Sequence, residues 1–231
     1  MFYFETFIDK QYNSSKSATV NSFTIIGERC SGTYFLQHAI EKNFHLPVTW
    51  KYGWKHWFGD HCDYSNSDDT LFLVMYRHPL NWMNSLFRDQ HHLEKKMRQK
   101  NNFLNEPVIN IDWTRENVEI DNTRNLKTGN IYKNIFELRS VKLKYLLDDF
   151  PKRVKNVEIF SLESFQKNYK KILLKLQKKY KLKRKHSTIQ TIDYHLVGGQ
   201  VRKPTVASTF TIEDIKAYLD LETEKKAGYL I

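Results

Sequence analysis

Cysteine is nearly missing from this chain, with Cys30 and Cys62 the only two among 231 residues. Two thiols are too few for a disulfide scaffold and fit a reducing compartment. Neither combines with His61, His91 or His92 at a zinc-like spacing, so no metal is expected. Long apolar runs are missing too. The longest plain one, residues 71–76, falls far short of a membrane span of roughly 20 residues. The first ten residues mix Glu5 and Asp9 with their apolar neighbours and place no cationic stretch before a greasy one, so they do not read as a secretion signal. A soluble, cytoplasmic protein is the expectation, and no internal repeat is visible.

What the chain does have is core-forming material and positive charge. Hydrophobic residues make up 40% and aromatics 14%, which excludes a disordered polymer. The length fits one domain over 1–231. Lys and Arg total 37 against 26 Asp and Glu, a net charge of +11. That excess calls for an anionic partner, whether nucleic acid, acidic glycan, membrane surface or nucleotide.

The most informative stretch runs from Phe23 to Ile40. Residues 23–26 have strand character, Gly27 and Gly32 bound a turn, and Leu36, Ile40 and Phe44 recur at a helical spacing of four. A strand, a tight glycine turn and a helix start make an anion site, because first-turn N–H groups and the helix dipole both favour negative charge. The spacing G-x-x-x-x-G matches the opening of a P-loop, yet Thr33-Tyr34 stands where Lys-Ser/Thr should follow. Binding of a phosphate-like group without ordinary magnesium–ATP chemistry is the reading.

Elsewhere, residues 47–50 form a short strand candidate and 61–69 a polar loop. Residues 71–76 read as a buried parallel strand, being apolar on both alternating faces. Pro79 opens a helix over 80–100. Residues 101–130, rich in Asn and charge, are either a lid or substrate loop or a surface insertion. Helices follow over 131–150, 164–180 and 211–226, with a strand at 157–161. Strands alternating with helices predict an α/β fold in three layers, a mainly parallel central sheet flanked by helices.

The loop and three further segments carry a resemblance. Residues 27–35 (GERCSGTYF) resemble the 5′-phosphosulfate loop of sulfotransferases that use 3′-phosphoadenosine-5′-phosphosulfate, a family with a P-loop NTPase-like core. Residues 76–85 (YRHPLNWMNS) look like their 3′-phosphate segment, with Arg77 and Ser85 at the family's eight-residue spacing. Lys55-His56 stands where the family has its basic, His-containing stretch, and 157–165 is similar to its late strand and following helix. The resemblance spans residues 22–180. It implies that Gly27, Arg29, Cys30, Ser31, Gly32, Thr33 and Tyr34 cradle the 5′-phosphosulfate, that Phe35 stacks on adenine, and that Arg77 and Ser85 hold the 3′-phosphate. It implies His56 as general base for the acceptor hydroxyl, its pKa near neutral, with Lys55 beside it. The family's loop lysine falls on Cys30, and Arg29 is the neighbour able to supply that charge. Arg202 and Lys203 are a loose counterpart of a late basic motif. The donor would leave as adenosine 3′,5′-bisphosphate, no metal is implied, and the acceptor is a sugar or small molecule.

Two other classes stay open. A divergent P-loop kinase would need the missing lysine. A basic nucleic-acid-binding domain would draw on the run from Lys170 to Lys185, but Ile172, Leu173, Leu176 and Tyr180 turn one side of that run to a core. No aromatics interleave with its lysines on the same surface, so nucleic acid is the less favoured partner.

Overall fold

The computed structural model of the chain describes residues 19–56, 58, 61–90, 92–112, 118–119, 124–192, 196–197, 200–201 and 208–231. In chain order its first half gives β1 (Ser22–Ile26), α1 (Thr33–Asn43), β2 (Thr70–Tyr76), α2 (Pro79–Arg88), α3 (Lys100–Asn105) and the short antiparallel pair β3 (Ile111–Asp112) and β4 (Val118–Glu119). Then come α4 (Ile135–Lys144), α5 (Phe150–Arg153), β5 (Val157–Ser161), α6 (Leu162–Lys167), α7 (Tyr169–Tyr180), the pair β6 (Leu196–Val197) and β7 (Gln200–Val201), α8 (Ile212–Ile215) and α9 (Leu221–Lys226). The central sheet is parallel in the order β1-β2-β5, with Phe23 opposite Leu71 and Val74 opposite Ile159.

The sequence of β2 explains the layering. Leu71, Leu73 and Met75 pack with Leu36, Ile40 and Leu173 on the α1–α7 side. The alternate residues Phe72 and Val74 pack with Tyr145, Leu146 and Phe150 on the other. A strand buried on both faces has to be apolar throughout, and a helix–sheet–helix α/β arrangement follows. No helix among the described residues is long and apolar enough to cross a membrane.

Several boundaries differ from the sequence expectation. The helix expected over 80–100 stops at Arg88, and a 3₁₀ turn (Lys95–Arg98) and α3 follow. Within 101–130, Phe103 and Val108 are buried against Phe87, Phe136 and Phe210, so part of that stretch builds core. The helix of 131–150 starts only at Ile135, where the Asn134 side chain accepts from the N–H groups of Phe136 and Glu137. It then widens into a π turn (Tyr145–Asp149) before α5. The helix of 164–180 is two helices, broken at Asn168, and that of 211–226 is also two, α8 and α9. The candidate strand at 47–50 contributes one bridge, Val48 to Phe23.

A buried ion pair joins these layers at the carboxyl end of β2. Arg139 of α4 donates through Nε and Nη2 to Glu224 of α9, at 2.5 and 2.8 Å. Its Nη2 also donates to the carbonyl of Arg77 at 3.0 Å, and its guanidinium lies over the Trp82 ring.

Gly27 marks the tightest approach. A Cβ there would sit 2.4 Å from the Met75 carbonyl oxygen, whereas one on Gly129 would meet nothing within 4 Å. Gly27→Ala is expected to cost about 3 kcal/mol in urea unfolding through backbone displacement, and Gly129→Ala, at φ 72°, about 1. Equal midpoints for the two variants would contradict the close contact.

Candidate functional site

In a parallel sheet all strands end on one edge, and ligands bind there. β1 ends in residues 27–32, β2 in Arg77 and β5 in Leu162-Glu163. Within the first of these loops Cys30 and Gly32 take left-handed backbone (φ 62° and 88°), while Arg29 and Ser31 do not. Such alternation is the backbone pattern of a concave anion nest, here with Ser31 N–H donating to the Glu28 carbonyl at 3.2 Å and Arg29 N–H to the Glu28 side chain. Gly32 is the N-cap of α1 and supplies no side-chain cap, so first-turn N–H groups of that helix point into the same space.

The carbonyls are held outward by side chains from three other segments. The His56 ring bonds the Gly27 carbonyl through Nδ1 at 2.6 Å, Trp82 Nε1 donates to the Arg29 carbonyl at 2.9 Å, and Arg77 Nη1 donates to the Cys30 carbonyl at 3.0 Å. Gly27 N–H donates to the Lys55 carbonyl at 3.0 Å, pinning the His56 segment to the loop. Glu28 accepts from the Arg29 N–H and from Lys142 Nζ, the latter at 2.5 Å and nearly buried. A carbonyl can only accept, so His56 carries its proton on Nδ1 and leaves the Nε2 lone pair available.

Positive charge is concentrated here. Arg29 lies over the Trp54 ring at 4.7 Å, and Lys55 Nζ over the Tyr34 ring at 3.0 Å. Lys55 is only 2% exposed. Burial first, then Arg29, draws its ammonium down to about 8. Burial also lowers Arg29 and Arg77. Arg77 Nε is buried without a partner among the described residues. Burial pushes the Cys30 thiol up to about 12, with the nearby Asp89 adding to it, so Cys30 stays a thiol and no nucleophile. His56 departs from the sequence expectation of a pKa near neutral. Burial, then Arg29, and further Lys55 and Lys142 hold it well below the ordinary imidazole range, against the opposing bond to Gly27.

The loop residues, Lys55, His56, Arg77 and Ser85 therefore meet in one place. Ser85 faces the Cys30 thiol and accepts weakly from Arg88 Nη2 at 3.5 Å. Ser31 and Thr33 are buried under the loop, and Tyr34 is exposed at its rim. Phe35 is partly buried, its ring packing on Phe165 and Tyr169. Arg202 and Lys203 lie outside the described residues. A cavity of about 190 Å³ lies between Leu126, Val141, Tyr145 and Arg153, and no loop residue lines it.

Sequence reasoning missed Glu28, Trp82, Arg139, Lys142 and Glu224. One signal was available for two of them. Arg139 and Lys142 fall at helical spacing with Ile135, Leu138 and Leu146, so two cations sit in the apolar stripe of α4. Glu224, 85 positions from its partner, leaves no such mark. No protein-family model, curated protein or solved structure significantly matches this chain.

Because its folded state excludes the imidazolium, the His56 ring is expected to stay neutral in an NMR titration from pH 8 to 5.5. The unfolded chain binds a proton near pH 6.5 that the folded one does not. Folding stability should therefore fall as pH drops through 6.5. A His56 titration midpoint near 6.5 in the folded protein would contradict this environment.

Proposed function

We propose that this protein is a sulfotransferase with a P-loop-like core, moving a sulfuryl group from 3′-phosphoadenosine-5′-phosphosulfate to a hydroxyl of a sugar or small molecule. The carrying observation is convergence. The anion nest after β1 and the Arg77–Ser85 pair after β2 meet at one sheet edge, with Lys55 and His56 beside them. The unpartnered Arg77 Nε and the uncapped first turn of α1 are donors that an anionic donor molecule would satisfy.

When bound, the donor supplies a sulfuryl group whose transfer breaks the S–O bond to its 5′-phosphate and releases adenosine 3′,5′-bisphosphate. The nest N–H groups hold the 5′ end and Arg77 with Ser85 the 3′-phosphate. Positioning and charge stabilisation carry most of such a transfer. His56 Nε2 takes the acceptor hydroxyl proton while Nδ1–H remains on the Gly27 carbonyl. The cations that depress His56 are also the ones a polyanionic donor neutralises. Occupancy of the nest therefore removes the cationic part of the depression, while burial, its larger cause, remains. With Cys30 in place of a loop lysine, Arg29 and Lys55 are the cations available to the leaving phosphate.

Calorimetry with adenosine 3′,5′-bisphosphate tests the reading. Loss of one charge-assisted contact in Arg77→Gln should weaken binding roughly 10- to 100-fold. His56→Gln should bind as wild type and transfer no sulfuryl group. Equal affinity of wild type and Arg77→Gln, or tighter magnesium-dependent binding of ATP than of the bisphosphate, would overturn it.

A further inference from the structure

The excess charge of this chain is concentrated in one segment. Between Glu163 and Asp193 there is no carboxylate, while Lys167, Lys170, Lys171, Lys175, Lys178, Lys179, Lys181, Lys183, Arg184 and Lys185 supply ten cations. Elsewhere 27 cations face 26 carboxylates, so this segment accounts for nearly all of the net +11. A face kept wet only for solubility mixes both signs, because uncompensated like charges at three- and four-residue spacing repel.

The structure puts five of these cations on one side of α7. Ile172, Leu173, Leu176 and Tyr180 are buried on the sheet side of α7, and Lys170, Lys171, Lys175, Lys178 and Lys179 are exposed on the opposite half. The strip continues beyond the helix, where residues 183–185 lie against the end of α1. His45 N–H donates to the Lys183 carbonyl and Lys185 N–H to the Asn43 carbonyl, at 2.9 Å each. Glu158 pairs with Lys179, but among the described residues Lys171, Lys175 and Lys178 make no ion pair. The helical part alone is ~18 Å long at 1.5 Å per residue, about two Debye lengths in physiological salt.

We propose that the outer face of α7 and residues 183–185 form a docking strip for one linear anionic polysaccharide, bearing carboxylate or sulfate groups. Its form selects that partner. The strip is one helix wide, with Lys171, Lys175 and Lys178 in a row along its middle, whereas a nucleic-acid duplex presents two phosphate rows. Tyr169 and Tyr180 are buried, so no ring is offered for bases to stack on. Leu174 is the one large apolar side chain exposed on it, too little for insertion into a membrane interface. The strip binds whether or not the nest binds a nucleotide.

Heparin is the probe, titrated against full-length protein at several salt concentrations. Lys171→Gln with Lys175→Gln and Lys178→Gln should weaken binding about 100-fold and reduce the slope of log affinity against log salt by about three. Lys133→Gln with Lys152→Gln and Lys216→Gln, three exposed cations elsewhere, should change affinity less than about threefold. Both sets replace exposed residues, and unchanged thermal melts verify their folding. Equal losses in both sets would overturn the strip in favour of diffuse attraction. So would tighter binding of a single-stranded or duplex oligonucleotide, or of anionic vesicles, at matched charge.

Discussion

Three carbonyl groups tied outward give this molecule its site. Gly27, Arg29 and Cys30 would each prefer a neighbouring N–H, which would close the turn on itself. Instead His56, Trp82 and Arg77 take those oxygens from three directions. Within the turn Gly27, Arg29 and Ser31 N–H are taken by the Lys55 carbonyl, the Glu28 side chain and the Glu28 carbonyl, so the donors left for a ligand are chiefly the first-turn N–H groups of α1. Cys30 adopts left-handed backbone at a cost of about 1 kcal/mol or more, which the surrounding bonds sustain. The open mouth of the nest is thus a product of packing by distant segments, not of the six loop residues alone.

Charge shows the same dependence. Lys55 is held nearly without water and forms no ion pair among the described residues, with Glu41 acting only at a distance, and keeping it ionised at neutral pH costs about 3 kcal/mol relative to solvent. Lys142 offsets part of its own burial through Glu28, and Arg139 through Glu224. These pairs are poor sources of net stability, since desolvation consumes most of the attraction, but breaking either one strands a buried charge. Their value lies in position. Arg139 fixes the Arg77 carbonyl at the end of β2, and Lys142 fixes the Glu28 side chain behind the turn. An anion entering the nest compensates the remaining cations, Arg29 and Lys55, and returns part of their desolvation cost as binding energy.

Much of this was legible in the sequence because it is periodic or local. The unbroken apolar run of β2 required cover on both faces, and the four-residue spacing of Leu36, Ile40 and Phe44 gave α1 its buried side. Gly27 and Gly32 announced a turn before a helix start. Helix ends were poorly legible, since Arg88, Asn168 and the π turn at Tyr145 interrupt patterns that continue through them. The titration of His56 was misread for a physical reason: its neighbours Trp54 and Lys55 were visible, but not the depth of burial or the approach of Arg29 and Lys142. Phe35, read as a stacking platform, follows the loop in sequence yet turns with α1 toward Phe165 and Tyr169. Contacts such as Arg139 with Glu224 depend on α4 and α9 meeting, which no local pattern encodes.

The nest itself is most directly tested by amide and guanidinium proton–nitrogen NMR during addition of adenosine 3′,5′-bisphosphate. The account predicts saturable downfield shifts of the amides of Gly32, Thr33 and Tyr34 together with Arg77 Nε–H, while amides of the α7 outer face stay unmoved. Shifts spread over α7 with residues 27–34 and Arg77 unchanged would contradict it.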